Sequence, residues 1–143
     1  MASGLQYISL ARKAGLLELG EDASKALVKS GRARLMFVCA DTSPGAKRRA
    51  EGFVYGCGVP LIEAPYLKEE ISAATGRPGC SMAAFRDLGL AASFASALRA
   101  EHGERYREID EALEAKRARM RARAKRGAKA GQSERSGNRR KRV

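Results

Sequence analysis

The sequence is poor in the residues on which catalysis and metal binding usually depend. It has one histidine, His102, in the polar stretch EHGE, with no strand or loop motif around it to position an imidazole as acid or base. Its three cysteines, Cys39, Cys57 and Cys80, are odd in number, far apart and set in apolar or glycine-rich surroundings. That pattern excludes a secretory disulfide framework and a paired zinc motif, and it leaves core or surface thiols. Cys80, in the segment RPGC, is the best placed as a nucleophile, yet nothing in the sequence activates it. A phosphate-cradling GxxxxGK motif and a dinucleotide-binding glycine fingerprint are both missing. The expectation is a non-enzymatic protein with no catalytic residue, no metal and no cofactor.

Long hydrophobic runs are missing too. No apolar stretch approaches the roughly 20 residues needed to span a bilayer, and no hydrophobic signal segment follows Met1. A cytoplasmic, reducing location with no membrane partner is expected.

The most telling scarcity is that of acid in residues 115–143, which hold thirteen Lys or Arg against the single carboxylate Glu134. Residues 1–114 hold fifteen bases and fifteen acids, so the whole net charge of +12 belongs to the C-terminal arm. Lys116, Arg117, Arg119, Arg121, Arg123, Lys125 and Arg126 form its densest part. Such an arm draws phosphate backbones through counterion release, with little sequence preference. A solvated tail, or a polybasic segment on anionic lipid, has the same composition.

What is present before the arm reads as one folded unit, with 44% hydrophobic residues to supply its core. Leu5, Ile8, Leu10, Ala11 and Ala14 have helical spacing after the N-cap candidate Ser3, and Gly15 ends that helix. A short apolar piece, residues 16–19, leads to Gly20. A second helix follows over 21–28, with Glu21 and Asp22 in its first turn and Gly31 beyond its end. Residues 34–40, RLMFVCA, predict a central strand buried on both faces. Further elements are a helix over 46–55, a strand over 59–62, a helix over 66–74, a strand over 82–85 and a helix over 88–101. This alternation predicts an α/β domain whose sheet is covered on both sides. The domain is expected to occupy residues 1–102, followed by a charged helical extension over 103–126 and a basic disordered tail over 127–143.

The order of GEDASKALVKSG (20–31) before RLMFVCADTSPGAK (34–47) resembles the superfamily of kink-turn-binding ribosomal proteins, the L-seven-Ae and L-thirty-e type. Within it, CADTSP (39–44) and FRDLGLA (85–91) are most similar to the bacterial YlxQ-like branch. The resemblance implies a three-layer α/β/α sandwich with a small mixed sheet. It also implies that the start of the second helix meets RNA, and that the loop before the last strand lies over an extruded nucleotide. Family members carry Gly, then Asn, Glu and Lys at two, three and six positions after it. Here Gly20 matches, while Asp22, Ala23 and Ala26 stand at the other three positions and Lys25 falls one residue early. By this likeness Gly20, Glu21, Asp22, Lys25, Arg32, Arg34 and Arg77 are candidate RNA contacts beside the arm. The expected partner is rRNA or another structured RNA, with the ribosome as the candidate assembly and the protein itself a monomer. A protein-interaction module localised by its arm, and nonspecific nucleic-acid packaging, are the competing readings.

Overall fold

The computed structural model describes residues 2–141, with side-chain environments through Ala128. The elements run α1 (Gly4–Lys13), β1 (Leu17–Leu19), α2 (Glu21–Lys29), β2 (Leu35–Val38), α3 (Pro44–Val54), β3 (Leu61–Glu63), α4 (Lys68–Thr75), β4 (Met82–Phe85) and α5 (Leu88–His102). A 3-10 turn (Glu104–Tyr106) then leads into α6 (Arg107–Lys141). Helices cover both sides of a four-stranded mixed sheet of order β1-β4-β2-β3. The pairs β1/β4 and β4/β2 are antiparallel, and β2/β3 is parallel. The predicted α/β fold with a small mixed sheet is therefore the observed one.

The two middle strands explain why their sequences read as unbroken apolar runs. Side chains alternate across a sheet, so Leu35, Phe37, Ala83 and Phe85 join one core with α1, α4 and α5. Met36, Val38, Met82 and Ala84 join the other, against α2 and α3. Phe37, Phe85 and Phe94 form a ring cluster with centroids 5.0–6.1 Å apart at the centre of the first core.

Local chemistry sets the element ends. Ser3 Oγ accepts from Gln6 N while Gln6 Oε1 accepts from Ser3 N, a reciprocal cap on α1. Ser43 caps α3 through Ala46 N, and Asp87 caps α5 through Leu90 N. Residues 16–19, read only as an apolar piece, contain the edge strand β1. The strand expected over 59–62 lies at Leu61–Glu63, because Pro60 has no N–H and serves the ladder as an acceptor for Met36 N. The helix expected from Tyr66 starts at Lys68, whose N–H donates to Asp41 Oδ1, while Tyr66 O accepts from Ala40 N.

The packed core does not end at residue 102. Tyr106, Ile109 and Leu113 are buried in the first core, Tyr106 Oη donates to Glu63 O, and Arg99 Nη1 donates to Asp110 Oδ2. A region that reads by composition as a solvated helix carries one narrow apolar stripe, and α5 provides the face that buries it. Gly127, expected at the head of a disordered tail, lies within the bounds of α6. An interior glycine costs a helix about 1 kcal/mol, which the Ala, Lys and Arg around it offset by their helix propensity. Positions 142 and 143 of the expected tail lie outside the described residues.

Candidate nucleic-acid interface

At one end of the sheet β1 gives way to α2 through Gly20. Gly20 N donates to Met82 O at 2.9 Å, which ties the turn to the start of β4. Its φ of 95° and ψ of 167° lie in a region that is essentially glycine-only. No side chain caps α2, so the N–H groups of its first turn stay free, while Glu21 and Asp22 in that turn offset the positive end of the helix dipole. Arg77, from the loop before β4, donates through Nη1 to Leu19 O at 3.2 Å. That contact brings its guanidinium beside the turn: a methyl group on Gly20 would lie 3.8 Å from Arg77 Nη2 and 3.9 Å from Cys80 Sγ. Two residues 57 positions apart in the chain thus share one small site.

The other residues predicted around this helix are engaged differently. Glu21 pairs with Arg49 of α3, and Lys25 holds its ammonium 5.4 Å from the Phe53 ring, so both lean on α3. Asp22 is exposed at the position where the resembling family carries Asn. Ala23 and Ala26 leave a shallow groove beside Leu27 and Arg86.

Arg32 and Arg34 lie at the opposite end of the sheet. Leu17, Phe85 and Leu35 are in register there, whereas Val38 and Met82 are in register at the Gly20 end. The nine residues of α2, at 1.5 Å of rise each, separate the two ends by about 13 Å. Arg34 N donates to Phe85 O, and Arg86, the next residue, turns back to pair with Glu18 at 3.2 Å. Arg117 and Arg121 of α6 reach the same end and line a cleft with Arg34 and Arg86. Arg119, Arg123, Lys125 and Arg126 are exposed, and Lys116 is half-buried. Sequence reasoning missed Arg86; the available signal was a base directly at the exit of a core strand.

Solved structures share this fold, among them the following two. A protein of unknown function from Bacillus halodurans superposes with a TM-score of 0.62 at 19% identity, covering 68% of this chain and 98% of its own. A 15.5 kD RNA-binding protein from Giardia lamblia superposes with a TM-score of 0.56 at 18% identity, covering 76% of this chain and 85% of its own. No family model and no curated protein matches the sequence. At these identities the likeness establishes a common fold.

The polar groups with reactive potential are tied into structure. His102 packs edge-on against Tyr66 and Tyr106 at the end of α5, with Nε2 3.7 Å from Glu101. Among the described residues no cluster of three or more His, Cys, Asp or Glu could hold a metal ion. No described helix is long and apolar enough to cross a membrane. Cys39 and Cys80 are buried near the Gly20 turn, and Cys57 is half-buried on the other face. Burial, reinforced by the Asp41 carboxylate, pushes the Cys39 thiol up to about 12. Since the thiolate is the nucleophile, iodoacetamide at about pH 8 is expected to modify Cys57 and spare Cys39 in the folded protein. Peptide mapping after alkylation checks this, and rapid labelling of Cys39 in the native state would contradict it.

Proposed function

We propose that this protein is a non-enzymatic binder of structured RNA, acting as a cytoplasmic monomer associated with rRNA or the ribosome. The observation that carries the reading is the uncapped, glycine-led start of α2 with the Arg77 guanidinium held beside it. Free helix-terminal N–H groups and an arginine, with the Asp22 carboxylate beside them, suit the mixed donors and acceptors of a base edge, and the lack of a Cβ at Gly20 permits close approach. The fold shared with an RNA-binding protein supports the same conclusion.

A kink-turn is the natural candidate ligand by resemblance, read here by a reduced set of side chains. Asp22 offers an acceptor without the amide donors of Asn, and Ala23 and Ala26 offer no polar group. Shape, backbone N–H groups and Arg77 therefore carry the recognition, with the arm adding sequence-independent affinity.

The test compares binding to a stem with an asymmetric internal loop and to the uninterrupted duplex. The intact protein is expected to prefer the looped RNA. R77Q and G20A are each expected to lower that preference by about tenfold, the equivalent of one lost charge-assisted contact. G20A also strains the backbone by about 1–3 kcal/mol, so R77Q, which leaves φ untouched, separates binding from stability. Equal affinity of the intact protein for both RNAs would exclude shape recognition.

A further inference from the structure

The geometry points to a second, built phosphate-binding site at the other end of the sheet: we propose that the cleft between α6 and the strand ends at Arg34 and Arg86 holds backbone phosphates of RNA. The inference rests on the RNA-binding reading but concerns a different set of residues.

The cleft has a volume of about 300 Å³ and is lined by four arginines from three separate stretches of chain. Arg34 precedes β2, Arg86 follows β4, and Arg117 and Arg121 are one helical turn apart on α6. The positions of the last two follow from packing. Leu113 is fully buried against the domain, and Arg117 and Arg121 continue its stripe at intervals of four residues, on the same helix face. The first turns of the arm thus run beside the domain, and both arginines line the cleft, Arg117 half-buried and Arg121 exposed.

The local charge is not cancelled. Arg86 pairs with Glu18 and Arg117 with Glu114, but Arg34 and Arg121 have no ion-pair partner among the described residues. Asp87, the one carboxylate lining the cleft, spends Oδ2 on the cap of α5 at 2.9 Å from Leu90 N. Arg117 Nε is a buried donor without an acceptor among the described residues, and a buried unsatisfied donor is costly. With Arg86 and Arg117 paired to carboxylates and Asp87 in the lining, the cleft keeps a formal excess of one positive charge, carried by Arg34 and Arg121, and a phosphodiester offers several acceptors that match guanidinium forks.

The decisive variants are R34Q/R121Q, which leaves both ion pairs of the cleft intact, and R119Q/R123Q, which removes the same charge from positions of α6 that do not line the cleft. Binding of each full-length variant to a short oligouridylate is measured at about 0.15 M salt, alongside flotation with phosphatidylserine vesicles. R34Q/R121Q is expected to weaken oligouridylate binding by about tenfold, and R119Q/R123Q by less than about threefold. Equal losses from the two variants would overturn the cleft in favour of a diffuse polycation. Loss of vesicle binding by R34Q/R121Q with oligouridylate binding unchanged would overturn it in favour of a lipid headgroup. The oligouridylate has no secondary structure, so loss of loop preference at Gly20 and failure of the cleft are separate results.

Discussion

Deleting residues 115–143 is expected to lower RNA affinity by about a hundredfold at physiological salt and to flatten its salt dependence. The deleted stretch carries thirteen Lys or Arg and one Glu, and it leaves a remainder with equal numbers of acids and bases. An arm that neutralises about five phosphates contributes a slope of about −3.5 to −4.5 to log K against log salt, depending on whether the RNA is single- or double-stranded. The deletion removes that slope, and it also takes Arg117 and Arg121 out of the cleft at the Arg34 end. Leu113 and all buried residues before it are retained, so the folded domain and its preference for looped RNA should survive. Titrations of both proteins across a salt series give the two slopes. Identical slopes would show that the arm does not engage RNA.

A chain ended at His102, the boundary that composition suggests, is expected not to fold stably. It lacks Tyr106, Ile109 and Leu113, which are 3%, 9% and 0% exposed, and it uncovers the face of α5 on which they pack. Deleting a large buried side chain costs about 2–5 kcal/mol, so three together approach the roughly 5–15 kcal/mol that holds a whole domain folded. Leu113→Ala alone should cost about 3 kcal/mol and lower Tm by about 10 °C or more. Thermal and urea unfolding followed by circular dichroism would measure both. A cooperative transition in the 1–102 fragment at the temperature of the intact protein would refute the assignment of this stripe to the core. The two deletions make a pair: one removes charge and keeps the core, the other removes both.

Much of the fold is legible in the chain because its signals are local. Ser3, Ser43 and Asp87 stand where helices begin, and each caps one. The apolar runs of β2 and β4 are what strands buried on two faces require. β1 was hard to see because it has three residues, with Glu18 between Leu17 and Leu19, and strand character comes from pairing with β4. Tyr106, Ile109 and Leu113 were hard to see because their burial depends on α5, whose exposed face cannot be read from the helix it accepts.

The candidate site divides along the same line. Gly20 could be singled out from its place between an apolar piece and a helix. The partnership with Arg77 could not, because a loop 57 residues away lies beside it only when β4 pairs with β1. Arg32, Arg34 and the arm were grouped with Gly20 by charge and likeness, and the length of α2 separates them.

By itself the sequence determined the α/β alternation, the neutral domain with its basic arm, and the glycine turn before α2. These depend on residue type, spacing and summed charge, which need no knowledge of what lies across the molecule. Tertiary structure decided where the core ends, which arginines face the domain, and that the cationic groups form two separate ends. Those outcomes depend on distances between residues remote in the chain. The pairing of β4 with its neighbours and the packing of α6 on α5 are what set them.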